Sequence, residues 1–156
     1  MRPVQGDEFD DQAEEAATLY TSLFEDSRIL EISRYPDGVP GQEAGKVMTV
    51  SFELAGQRFT ALNGGPAFGF TEATSFFVNC EDQAEVDRLW DALTANGGQE
   101  SQCGWLKDRY GLSWQIIPTA LMRMLSDPDP ARAGRATQAM LGMRRIDVAA
   151  LEAALD

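Results

Sequence analysis

Apolar residues at helical spacing occupy two well-separated stretches of this chain, and alternating residues fill much of what lies around them. On a helix, Ala13, Ala16, Tyr20, Leu23 and Phe24 share one face, and so do Val86, Leu89, Trp90 and Leu93. The spacing predicts helices over 11–24 and 83–95. Asp10 or Asp11 suits the N-cap of the first, and Asn96-Gly97-Gly98 is a C-terminal stop for the second. Between the helices, Arg28 to Tyr35 alternates as a strand does. Lys46 to Leu54 and Gln57 to Asn63 form a hairpin turning at Ala55-Gly56, with Met48, Val50, Phe52 and Leu54 on its apolar face. Thr74 to Cys80 is a further strand. Cys103 to Pro118 reads as a hairpin of two short strands around Asp108 to Gly111, and it ends at Pro118, which has no N–H for a ladder.

Asp11-Gln12-Ala13-Glu14 recurs as Asp82-Gln83-Ala84-Glu85, each copy opening one of the helices. A unit written twice predicts a fold of two similar halves. The expected class is α+β: two βαβββ modules over about 1–66 and 67–118, whose curved mixed sheets enclose a cleft, then a helical extension of the same domain over 119–156. In that extension Thr119 to Ser126, Ala131 to Met143 and Val148 to Leu155 are expected helices. Asp127-Pro128-Asp129-Pro130 separates the first two, and Asp147 caps the last. Such short helices are unstable alone and need a sheet or a second subunit. Met122, Met124, Leu125, Met140, Leu141 and Met143 offer apolar surface for a homodimer.

The net charge of −12 opposes nonspecific binding to nucleic acid and to anionic membranes, both polyanions. No apolar run approaches the ~20 residues of a membrane span, and Met1 to Phe9 has no apolar signal core, so a cytoplasmic protein is expected. Cys80 and Cys103 are the two cysteines and belong to no Cys-x-x-Cys pair; buried free thiols are expected. The chain has no histidine, which removes the commonest general base and the commonest transition-metal ligand. Walker-type and G-x-G-x-x-G phosphate loops are absent, and Gly64-Gly65-Pro66 and Gly97-Gly98 are turn signals. No cofactor is expected.

The order of elements, together with Ala13-Glu14-Glu15-Ala16, Leu62-Asn63-Gly64-Gly65-Pro66-x-Phe68, Ser75-Phe76, Asp82-Gln83-x-Glu85-Val86-Asp87, Cys103-Gly104-Trp105-Leu106-x-Asp108 and Gly111-x-Ser113-Trp114-Gln115-Ile116-x-Pro118, resembles the vicinal oxygen chelate superfamily. Glyoxalase I, extradiol dioxygenases and bleomycin-resistance proteins belong to that superfamily. Within it, the chain is most similar to the PhnB-like family, which carries the label 3-demethylubiquinone methyltransferase-like. The similarity runs from about residue 10 to residue 151. One departure is the segment Arg2 to Phe9, mostly polar where the family has an apolar first strand. The methyltransferase label finds no support in the residues, because no Gly-rich strand-to-helix turn of the usual methyl-donor type is present.

The resemblance also implies where a metal would sit. Metal-dependent members carry His and Glu on inward-facing strand positions; here Ser75 stands in the place of a second-half histidine and Gln115 in that of the last-strand glutamate. The first half offers Ala61, Leu62 and Asn63 on its last strand, and at best Glu8 before its helix. Ser, Gln and Asn are poor metal donors, so no bound metal is expected. The expected ligand-binding set is Asn63, Ser75 and Gln115 with Phe52, Phe77 and Trp105 as apolar walls. By alternation Ser75, Phe77 and Asn79 share a face, as do Ser113, Gln115 and Ile117, while Trp114 points to the opposite side and packs under a helix. Turn chemistry competes as a role for Asn63, and a satisfied buried amide for Gln115. Lys107, Arg109 and Tyr110 suit either an anion contact or a solvated turn. Asp82, Glu85, Glu14 and Glu15 suit helix starts rather than catalysis. The leading reading is a small-molecule-binding protein without a catalytic metal and with no assigned reaction. A metal-dependent lyase, isomerase or dioxygenase with atypical ligands is the alternative, and a drug-sequestering resistance protein is another.

Overall fold

The structure, a computed structural model, describes residues 12–66 and 69–155. The chain divides into two compact units between Phe70 and Thr71. The expected first strand and the Asp10 or Asp11 cap lie outside the described residues.

The first unit holds helix α1 (Gln12–Leu23) and strands β1 (Arg28–Arg34), β2 (Val47–Leu54) and β3 (Gln57–Leu62), paired antiparallel in the order β1-β2-β3. Ala13, Ala16, Ala17 and Tyr20 form the buried side of α1. The three alanines let the helix lie close on the sheet, where Val50, Phe52 and Ala61 are buried. The ring of Phe52 meets Tyr20 at 6.4 Å and stacks on Phe59 at 5.6 Å. Alternation in β1 is imperfect. The register against β2 shifts between Ile29 and Glu31 and again between Ser33 and Arg34, so Leu30 is left exposed.

The second unit begins with β4 (Ser75–Cys80) and α2 (Gln83–Thr94), followed by β5 (Gln99–Glu100), β6 (Trp105–Lys107) and β7 (Ser113–Pro118). Its sheet runs β4-β7-β6-β5, with β4 and β7 parallel and the other pairs antiparallel. This is a complete β-α-β-β-β unit. Two-residue β5 is too short to leave a periodic signal. The α2 face of Val86, Leu89, Trp90 and Leu93 is buried, as its spacing predicts. Asp82 caps α2 by accepting from the Glu85 backbone N–H at 2.9 Å, while the Glu85 carboxylate accepts from the Glu81 N–H at 2.7 Å. This reciprocal arrangement satisfies two amides of the helix start.

Helices α3 (Thr119–Leu125), α4 (Pro130–Leu141) and α5 (Val148–Ala153) complete the second unit. A second cluster forms here from Ile117, Leu121, Ile146 and Leu151, with Met124, Leu125, Met140 and Met143 packed against it. Much of the apolar surface expected to serve a dimer is therefore used within the chain; Met122 and Leu141 remain exposed. The segment between α4 and α5 is clasped to its surroundings. Gln83 donates to the Ile146 carbonyl at 3.0 Å and accepts from the Val148 N–H at 2.9 Å. Arg145 bonds Asp87 and Asp91 and lies over the Trp90 ring. The Cys103 and Gly104 amides donate to the Met143 and Arg144 carbonyls at 2.8 and 2.7 Å.

Candidate functional site

Strand register in the second unit sets out two rows of side chains. Lys107 pairs with Ser113, and Ser113 with Ser75; Trp105 pairs with Gln115, and Gln115 with Phe77. Cross-strand partners lie about 4.5–5.5 Å apart at Cβ and alternate residues share a face, so these six side chains form one patch across β6, β7 and β4. Leu106, Trp114 and Ile116, at the intervening positions, are buried. The patch is mixed in character. Phe77 is 48% exposed, and Trp105, Ser75 and Gln115 are half-buried. Gln115 Nε2 donates to Ser75 Oγ at 2.9 Å, which joins the two strands diagonally. Ser113 is buried, and among the described residues its Oγ has no hydrogen-bond partner. Lys107 forms an ion pair with Glu72, three residues before β4.

Sequence reasoning missed the order of the turn that ends this patch. Asp108 is buried, and its Oδ1 accepts from the Tyr110 and Leu112 amides at 2.9 and 3.1 Å, while Oδ2 accepts from Trp114 Nε1 at 2.8 Å. Tyr110 is buried too, with Arg109 over its ring and donating to its hydroxyl. The solvated turn that was one expectation for Lys107 to Tyr110 is thus a packed one. An aspartate at the first position of a turn, four residues before a leucine amide and six before a tryptophan, was the available signal. Trp114, expected to pack under a helix, is buried and meets Phe76 edge-on at 5.0 Å.

The four second-unit residues of the expected ligand set, Ser75, Phe77, Trp105 and Gln115, come together in this patch. Phe52 and Asn63 belong to the first unit and have structural work there. Phe52 is fully buried against Tyr20 and Phe59. Asn63 Oδ1 accepts from the Ala13 N–H at 3.0 Å, and its Nδ2 donates to the Val47 carbonyl at 3.1 Å. A helix start leaves amides without intrahelical acceptors, and Asn63 supplies one from a distant strand end. Asn63 is not among the described residues with positive φ, so the structure gives it this long-range cap rather than the expected turn chemistry.

Of the positions that the resemblance gives to metal ligands, Ser75 and Gln115 hold poor metal donors, and Glu8 lies outside the described residues. Ser75 and Gln115 are neutral and bonded to each other, and among the described residues no three Cys, Asp or Glu are grouped to hold an ion. Nor does a methyl donor of the usual kind fit the β4-to-α2 turn, where Glu81 and Asp82 stand in place of glycines and the carboxylate of Asp82 occupies the helix amide. Of the two thiols, Cys80 is buried, and burial with the nearby Glu85 carboxylate pushes its pKa up to about 12. The unfolded thiol ionises near its ordinary value of about 8.5, so rising pH favours the unfolded chain from there up to the folded value. Iodoacetamide at about pH 8 is expected to label half-buried Cys103 well before Cys80, as read by peptide mass mapping; equal labelling would contradict the placement of Cys80.

The β-α-β-β-β unit is that of the vicinal oxygen chelate fold. A family model described as 3-demethylubiquinone-9 3-methyltransferase matches residues 8–117. The PhnB protein of Bacillus cereus, by name a candidate 3-demethylubiquinone-9 3-methyltransferase, is 35% identical, with 76% of this chain and 96% of that one covered at a TM-score of 0.64. A Staphylococcus aureus protein is 33% identical over 73% of this chain and 89% of its own, with a TM-score of 0.30. A Pseudomonas aeruginosa protein shares the fold at 19% identity and a TM-score of 0.57, covering 75% of this chain and 93% of its own. No curated protein matches the chain. The chain belongs to the PhnB-like family. Among the described residues no helix is long and apolar enough to cross a membrane.

Proposed function

We propose that this chain is a small-molecule-binding member of its family that works without a catalytic metal, and that the patch of Ser75, Phe77, Trp105 and Gln115 is its contact surface. The observation that carries the reading is the neutral Ser75–Gln115 pair, set between an exposed and a half-buried aromatic ring. Apolar walls with a few uncharged hydrogen-bonding groups are the usual make-up of a small-molecule site. Native mass spectrometry of freshly purified protein tests it: the expected spectrum carries an organic mass that leaves on denaturation. Near one equivalent of a transition metal would instead sink the metal-free reading. Once a ligand is in hand, Gln115→Leu should weaken its binding by about 1–3 kcal/mol, because a polar partner is left unpaired. A large stability loss with unchanged affinity would make Gln115 a core residue.

The same reading takes the protein to be a cytoplasmic homodimer with no nucleic-acid or membrane partner. Met122 and Leu141, 44% and 54% exposed on α3 and α4, support self-association, and the charge of −12 disfavours polyanionic partners. Light scattering is expected to give twice the chain mass at micromolar concentration; the monomer mass throughout would exclude the dimer.

A further inference from the structure

Resting on that reading of the patch, we propose that Lys107 and Ser113 receive a carboxylate of the ligand, with Glu72 as the internal carboxylate it displaces. Lys107 and Ser75 flank Ser113 in the register, and Glu72 leads into the strand that carries Ser75. The Lys107–Glu72 ion pair therefore joins the two strands on either side of β7 at the end where Ser113 sits. Lys107 has a side chain 34% exposed and Glu72 one 64% exposed, so the pair sits at the surface and is weakly held. Its carboxylate can swing away.

Ser113 supplies the second observation. It is 1% exposed, and its hydroxyl has no partner among the described residues. A buried hydroxyl without a bond is unfavourable, and one facing the lysine's row can donate to an oxygen held by that lysine. One ammonium and one hydroxyl match a singly charged, two-oxygen group. A phosphate would ask for more donors and more positive charge than this acidic protein supplies here. Glu72 shows that the Lys107 position accepts a carboxylate, and the hydrogen bond from Lys107, ahead of its charge, holds the Glu72 carboxyl below the usual range. The ring or chain of the ligand would then lie along the second row, over Gln115 between Trp105 and Phe77.

The test uses benzoate and its neutral counterpart benzamide as probes, with the Gln115 side-chain amide signal and titrated affinity as readouts. Benzoate is expected to bind more tightly than benzamide, with the preference fading as salt rises. Glu72→Gln should tighten benzoate by about tenfold, the worth of one charge-assisted bond freed from competition, and leave benzamide unchanged. Lys107→Met should erase the preference, and Lys107→Arg should keep it. These side chains are at the surface, so the variants should fold, which circular dichroism checks. If benzamide shifts Gln115 but the benzoate preference is absent, survives Lys107→Met or ignores Glu72→Gln, the carboxylate site is overturned while the small-molecule reading stands. If neither probe shifts Gln115, both fall.

Discussion

Asp108→Ala is expected to lower the unfolding free energy by about 3–5 kcal/mol, among the largest effects of any single change in this chain. The carboxylate is buried and accepts three hydrogen bonds, from two backbone amides of its own turn and from the Trp114 indole. Removing it takes this acceptor away from the two turn amides and the Trp114 indole and opens a void beside Trp114. Asp108→Asn keeps the shape and one carbonyl oxygen but turns an NH2 group toward donors, so a smaller loss is expected. Urea unfolding followed by tryptophan fluorescence reads both. A loss below about 1 kcal/mol for the alanine variant would mean that water replaces the carboxylate readily and that the turn is not a closed structure.

Gly104→Ala should destabilise by about 2–4 kcal/mol, the sum of left-handed backbone strain and overpacking. Gly104 has a φ of +83°, and an added Cβ would lie 2.6 Å from Ile117 Cδ1, 3.0 Å from the Ile116 carbonyl oxygen and 3.2 Å from Ile146 Cγ1. The isoleucine ends can shift; the carbonyl is fixed by its place in β7. The position also binds the clasped segment, since its N–H donates to the Arg144 carbonyl and its own carbonyl accepts from the Ile116 N–H. Gly97→Ala is the control. Gly97 also has positive φ, but its Cβ would meet nothing within 4 Å, so only the strain of about 1–2 kcal/mol is expected there. Equal losses at the two positions would show that the close packing of Gly104 contributes nothing.

How much of this was legible in advance depends on the range of each interaction. Periodicity within one element gave the buried face of α2, the hairpin of β2 and β3, and the inward turn of Trp114, because burial on one side imposes period on the sequence. Ser75 and Gln115 came as candidates from the family resemblance, and alternation then put Phe77 on the face of Ser75. Periodicity failed at β1, where register shifts broke the alternation, and at two-residue β5, which is too short to carry a period. It also failed for the methionines after Pro118. Periodicity shows that Met124, Met140 and Met143 want cover but cannot say whether Ile117 and Ile146 or a second subunit provides it.

The sequence by itself determined the class of fold, the family, the absence of imidazole chemistry and the buried face of α2, while on α1 it named Leu23 and Phe24, which are only half-buried, and not Ala17, which is buried. The family follows from the resemblance of the quoted motifs, and the rest from composition and local periodicity, which are properties of neighbouring residues. Only the tertiary structure decided that Asn63 caps α1 across fifty residues, that Asp108 is buried rather than solvated, that Ser113 lacks a partner, and that Lys107 meets Glu72. Each is a pairing between groups far apart in the chain or a state of burial set by packing. A polar side chain has many possible partners, and its identity alone does not say which one the fold brings within hydrogen-bond reach.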